Sequence, residues 1–293
     1  MFKDNFFILS KPRSGSSMLS NILIENGLTN FSFQESTTMN AHEHNTDGYF
    51  EDVKLTLLND QIIKAKYGNE FSFLFPPAHW SAKELNENIE FVYDLDKTTV
   101  VIPDDFRDRL LYYTNNKWDV WGLTRMLTGG KWHRAYSKHN VDNIQNILQT
   151  IKDFKEIYNS TDGLLIKDPR MIFTILDFNI ANSKIIFLQR KSECVVRSCR
   201  KHYGPHLFDT QDRYENFPYA SNHFNLKVGE MSFDEYGARY ANFESLIKAK
   251  SDPNSFIEIH YEELLSERSE SRNRLECFIG KPLDWSKVRN EKL

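Results

Sequence analysis

Three short stretches carry residues whose types and spacing suit the handling of an anion. In Pro12-Arg13-Ser14-Gly15-Ser16-Ser17, a guanidinium, three hydroxyls and a glycine stand between the apolar run Phe6-Phe7-Ile8-Leu9 and an apolar-periodic segment that begins at Met18. A turn of that kind, opening a helix, aims backbone N–H groups and the positive helix end at one point, which fits phosphate or sulfate. The expected donors are Arg13, Ser14, Ser16 and Ser17 with the loop amides, including those of Gly15 and Met18. The Gly-Lys-Ser/Thr of an ATP-type loop is absent, so no Mg²⁺ or other metal is expected here. The second stretch is Arg190 with Ser198 eight residues on. A planar guanidinium and a helical hydroxyl can close one phosphate from two sides. The third is Lys167-Asp168-Pro169-Arg170, a charged exit from the apolar Leu164-Leu165-Ile166.

These stretches need a scaffold that brings them together. Residues 5–10 read as a buried strand, 15–26 as a helix ended by Gly27, and 30–34 as a short second strand. A third strand is expected at 164–166 and a fourth at 184–189, followed by a helix from Ser192, read as its N-cap, to Gly204. Ser232-Phe233-Asp234-Glu235 has the pattern of a capping box for a helix to about 249. A last strand is expected at 256–259 and a helix from about 268 to Gly280. Between second and third strands, the apolar face of Val141, Ile144, Ile147, Leu148, Ile151 and Phe154 predicts a helix over about 140–158. The rest of residues 40–138 is irregular and aromatic-rich, with helical pieces near 51–66 and 104–114 and a short strand near 98–102. Apolar strands alternating with helices imply a parallel sheet whose ligands sit at the strands' C-terminal ends. Arg13, Lys167 and Arg190 should therefore converge.

The 293 residues, 40% of them hydrophobic and 27% charged, suffice for one α/β domain over 1–293 with a substantial core. A net charge of −4 argues against a general nucleic-acid binder. Three cysteines, Cys194, Cys199 and Cys277, lack metal-ligand spacing and read as reduced thiols of a cytoplasmic protein. No run reaches the length of a membrane span, and the N-terminus does not read as a signal peptide. His42-Glu43-His44 and His202 with His206 read as surface or hydrogen-bonded histidines rather than ligands.

With these motifs in order, the chain resembles the sulfotransferases that use 3′-phosphoadenosine 5′-phosphosulfate. The Arg13 loop is similar to their 5′-phosphosulfate loop, and Arg190 with Ser198 keeps the spacing of their 3′-phosphate motif. Lys-Asp-Pro-Arg at 167–170, and Gly48-Tyr49-Phe50-Glu51 with Asn59-Asp60 after it, resemble segments of the bacterial members. Tyr261-Glu262-Glu263-Leu264 is similar to a late element whose Tyr lies near the adenine in relatives. Ser192 and Cys194 stand where the family has Pro and an acid. The resemblance implies a three-layer P-loop-like α/β fold with a central parallel sheet of about five strands and helices on both faces. Residues 40–138 would then be an aromatic-rich helical insertion covering the acceptor site.

The activity so implied is sulfuryl transfer from 3′-phosphoadenosine 5′-phosphosulfate to a small-molecule or carbohydrate acceptor. Arg13 and Lys167 would stabilise the developing charge. Glu35 is the first candidate base, because in tyrosylprotein and trehalose sulfotransferases a glutamate after the second strand takes that role. Glu51 is the second, and His42 and His44 follow. The alternatives are a P-loop phosphotransferase and a non-catalytic 3′-phosphoadenosine-nucleotide-binding module.

Overall fold

The computed structural model describes residues 2–33, 38, 48–67, 144–178, 183–203, 232–266 and 269–286. Within them, β1 (Phe6–Ser10), β2 (Thr29–Asn30), β3 (Leu164–Lys167), β4 (Lys184–Gln189) and β5 (Phe256–His260) form one sheet in the order β2-β3-β1-β4-β5. All four pairings are parallel, as expected. The helices are α1 (Ser16–Glu25), α2 (Val53–Tyr67), α3 (Ile144–Ser160), α4 (Met171–Thr174), α5 (Ser192–Tyr203), α6 (Phe233–Lys250), α7 (Tyr261–Leu264) and α8 (Glu270–Ile279).

Both faces of the sheet are covered at its centre, which is why β1, β3 and β4 carry unbroken apolar runs. On one face Phe6 and Ile8 of β1 join a core with Leu19, Ile22 and Leu23 of α1 and Leu275 and Ile279 of α8. On the other, Phe7 stacks on Tyr158 of α3 at 5.8 Å. Asn5 sets the start of the central strands: its Nδ2 donates to Tyr158 O at 2.9 Å, and its Oδ1 accepts from Leu164 N at 2.8 Å.

Several element ends differ from expectation for local reasons. β2 stops at Asn30 because only Phe31 N still donates to Leu165 O, at 2.8 Å, whereas Phe33 N turns to the Asp52 carboxylate at 3.2 Å. The backbone leaves the ladder for a side-chain acceptor. Asn26 is the capping residue of α1, and Gly27, at φ 102°, follows it in the left-handed conformation while Leu28 N donates to Leu23 O. Ser192 is the first residue of α5 rather than its cap, since the Lys191 carbonyl accepts from Cys194 N and Val195 N. The Ser232 cap forms as predicted, accepting from Glu235 N. Of residues 40–138, only 48–67 lie within the described residues; the expected strand near 98–102 and helix near 104–114 do not. Among the described residues no helix is long and apolar enough to cross a membrane.

Candidate active site

β1 is the central strand, and the chain crosses to opposite sides of it to form β3 and β4. The crevice beyond its C-terminal end is therefore the switch point where α/β sheets hold ligands. The Arg13 loop leaves β1 here, Lys167 ends β3 on one side, and Arg190 follows β4 on the other. The order of strands thus converts three distant sequence stretches into one rim.

Two unusual backbone states shape the loop. Arg13 has φ 64° and Gly15 has φ 86°, so the turn coils tightly before α1. A β-carbon at Gly15 would lie 2.1 Å from the Tyr261 ring, so only glycine allows that ring to pack under the loop. No side chain caps α1, and its first turn holds no acid. Its leading N–H groups and positive end are left for an anion to meet. Ser14 Oγ is buried with no hydrogen-bond partner.

Arg190 joins the two anion motifs. Its Nη1 donates to the Arg13 carbonyl at 2.8 Å, and its guanidinium lies 4.5 Å over the Tyr261 ring. Arg190 Nε is also buried without a hydrogen-bond partner. In return, Arg13 Nε donates to Ser198 Oγ on α5 at 3.2 Å. Unmade hydrogen bonds at buried polar atoms are costly. An orphaned hydroxyl and an orphaned guanidinium N–H, one on each motif, fit a bound oxyanion that would satisfy both.

The β3 exit is organised differently, around buried charged pairs. Lys167 Nζ donates to Glu51 Oε1 at 2.5 Å, to Tyr49 O at 2.8 Å and to Ser17 Oγ of the loop at 3.4 Å. Glu51 and Lys167 are both buried. Phe50 holds the left-handed conformation at φ 57°, which turns the chain between Tyr49 and Glu51. Burial pushes the Glu51 carboxyl above its ordinary range, against the downward pull of Lys167; Asp168 raises it further and Arg170 lowers it. The Tyr49 phenol is pushed up to about 12, by burial first and then by Glu51, with Arg13 opposing. Asp52, one residue later, serves the fold instead, because its Oδ1 accepts from Leu55 N and caps α2.

Arg170 is completely buried. Its Nε donates to Asp60 Oδ1 at 2.6 Å and its Nη1 to Asp168 Oδ1 at 3.0 Å. Asn59 Nδ2 donates to Asp168 Oδ2, and Thr174 Oγ1 to Asn59 Oδ1. Burial works against the Arg170 charge, but Asp60 and Asp168 more than restore it, so its pKa is raised. This network ties α2 to the turn after β3 and so sets Lys167 against Glu51.

The structure brings together Arg13, Ser14, Gly15, Ser16, Ser17 and Met18 at the head of α1 with Arg190, Ser198, Tyr261, Lys167 and Glu51. Tyr261 is only 2% exposed, lodged between the Arg190 guanidinium and Gly15. Glu35, His42 and His44 lie outside the described residues. Of the C-terminal cations Lys281, Lys287 and Arg289, Lys281 donates to Asn26 O at the far end of α1, away from the loop. Lys287 and Arg289 lie outside the described residues. Sequence reasoning did not anticipate the Tyr49 carbonyl as a Lys167 acceptor, nor Asp60 as the partner of Arg170. For Asp60 a signal exists, since a buried arginine after β3 requires an acid in reach.

A profile of the "Sulfotransferase family" matches residues 5–286. A solved sulfotransferase domain from the curacin biosynthetic pathway is similar at 16% identity, covering 98% of this chain and 76% of its own, with a TM-score of 0.44. A sulfotransferase from Alicyclobacillus acidocaldarius is similar at 10% identity, covering 100% and 86%, with a TM-score of 0.40. No curated protein matches.

Proposed function

Because this chain belongs to the sulfotransferase family, we propose that it moves a sulfuryl group from 3′-phosphoadenosine 5′-phosphosulfate to a hydroxyl or amine of a small-molecule or carbohydrate acceptor. The observation that carries the donor assignment is the link between the two anion motifs. Arg190 donates to the Arg13 carbonyl while Arg13 donates to Ser198, and each motif keeps one buried, unsatisfied donor. Two oxyanion sites joined this closely suit a ligand with phosphate at both the 3′ and 5′ positions of one adenosine. Arg190 and Ser198 would hold the 3′-phosphate. Ser14, Ser16, Ser17 and the amides at the head of α1, Gly15 and Met18 included, would hold the 5′ end.

Transfer builds negative charge on the oxygen bridging sulfur and phosphorus as the nucleotide leaves. Arg13, Lys167 and the first-turn N–H groups supply donors fixed in advance for that charge, which is the arrangement that lowers such barriers most. Deprotonation of the acceptor falls to a carboxylate, Glu35 or Glu51, and is worth about 10²–10⁴-fold.

The test is thermal stabilisation of the protein by 3′-phosphoadenosine 5′-phosphate, ATP with Mg²⁺, and 5′-AMP. A ligand that binds only the folded state raises its stability by mass action. Selective stabilisation by the 3′-phosphorylated nucleotide, weakened in Arg190→Met, is expected. Stabilisation by ATP with Mg²⁺ alone would return the chain to the phosphotransferase reading.

A further inference from the structure

The buried pair Glu51–Lys167 borders the loop that the proposed donor would occupy, and the three Lys167 donors are already engaged by Glu51, Tyr49 O and Ser17. Its longest contact, 3.4 Å to Ser17 Oγ, points toward the anion loop, and its shortest, 2.5 Å, is to Glu51. A sulfuryl group reaching past a loop-bound 5′-phosphate would draw the ammonium toward Ser17 and away from the carboxylate. The backbone supports a specific role for that carboxylate. Among the described residues Arg13 and Phe50 are the non-glycine residues with positive φ, one in the anion loop and the other next to Glu51. Such conformations persist where the surroundings over-determine them, and they cluster at functional sites.

We propose that Glu51 and the donor's sulfuryl group compete for Lys167, and that the carboxylate released when the donor wins accepts the acceptor's proton. This rests on the sulfuryl-transfer reading above. Glu51 faces Lys167, Asp168 and Arg170 from the β3 exit and Tyr49 from its own segment. Burial already raises its pKa, and Lys167 is the strongest opposing influence. Loss of Lys167 to the donor removes that influence and raises the basicity of Glu51 further. The pair thus makes basicity conditional on a loaded donor. In the transfer step the acceptor O–H proton passes to a Glu51 oxygen as the acceptor oxygen bonds to sulfur. The bond from sulfur to the bridging oxygen breaks, and its electron pair leaves on the 5′-phosphate, with Lys167 beside the departing charge.

The experiment is calorimetric titration of the full chain with 3′-phosphoadenosine 5′-phosphosulfate and with 3′-phosphoadenosine 5′-phosphate, each in two buffers of different ionisation enthalpy. Wild-type protein is expected to take up a fraction of a proton with the sulfated nucleotide and none with the unsulfated one. Glu51→Gln removes the competitor, so it should bind the sulfated nucleotide about tenfold tighter, a gain of about 1.4 kcal/mol. Its affinity for the unsulfated nucleotide should stay unchanged, and the proton uptake should vanish. Lys167→Met should bring the two affinities together, which keeps the idea testable if Glu51→Gln does not fold. An unchanged affinity ratio in Glu51→Gln, or, should that variant not fold, in Lys167→Met, overturns the competition. Failure of wild type to bind either nucleotide overturns the parent reading instead.

Discussion

The two sides of the β1 exit differ in how their polar atoms are satisfied. On the Arg190 side, Ser14 Oγ and Arg190 Nε are buried without hydrogen-bond partners, and α1 begins without a side-chain cap. On the Lys167 side, a chain of hydrogen bonds runs from Glu51 and Tyr49 through Lys167, and a second links Asp60, Arg170, Asp168, Asn59 and Thr174. The first region offers donors that the proposed nucleotide would engage. The second binds its charged groups to one another and so holds them in place before any ligand arrives. Preorganisation and binding are thus assigned to separate strands of one sheet.

Mutations that strike the closed side should cost stability, whereas those on the open side should cost affinity. The largest effect is expected from Arg170→Met, which strands Asp60 and Asp168 in the interior. Leaving one partner of a buried pair uncompensated costs about 3–5 kcal/mol, to be read from urea unfolding. A loss below about 1 kcal/mol, the size of an exposed pair, would remove the network from its structural role. Gly15→Ala comes next, as the exception on the open side, because its β-carbon would meet the Tyr261 ring at 2.1 Å with φ at 86°. Overpacking of that kind costs about 1–3 kcal/mol, and a smaller cost in a Tyr261→Ala background would show that the ring is the cause.

Ser14→Ala probes the open side. Since Ser14 Oγ has no partner in the free protein, stability should stay within about 0.5 kcal/mol of wild type. Binding of 3′-phosphoadenosine 5′-phosphate should weaken about tenfold, the loss of one hydrogen bond to a charged group. Equal losses in both quantities would erase the contrast between the two sides.

The smallest effect is the titration of Tyr49. Its phenol is raised from 10.0 to about 12, so the neutral form is favoured by folding. The stability it contributes is complete below pH 10 and is lost as pH rises from 10 through about 12. Difference absorbance between wild type and Tyr49→Phe should show no phenolate at pH 10. A signal there would mean that Tyr49 is more open to water than its packing indicates.

Much of this arrangement is legible in the chain itself. Unbroken apolar runs at 6–9, 164–166 and 185–188 are those of strands buried on both faces, and a parallel sheet is their natural home. Pro-Arg-Ser-Gly-Ser-Ser between a strand and a helix already names an anion loop. Other relations are not local and could not be read that way. Glu51 and Asp52 are adjacent acids, yet one faces Lys167 and the other caps α2. The left-handed Phe50 separates their fates, and nothing in its side chain announces that conformation. Tyr261 is a nucleotide neighbour by resemblance, but that its ring packs beneath Gly15 and Arg190 is announced by no local pattern.

The sequence alone determined which groups are available: a guanidinium and hydroxyls at the first strand exit, a lysine at the third, an arginine at the fourth, and acids between. Those depend on residue type and on periodicities that local backbone geometry imposes. Which carboxylate meets Lys167, and which donors stay unsatisfied, was decided only when the strands assembled in the order β2-β3-β1-β4-β5. Burial and pairing are properties of neighbours far apart in the chain, and the strand order chooses those neighbours.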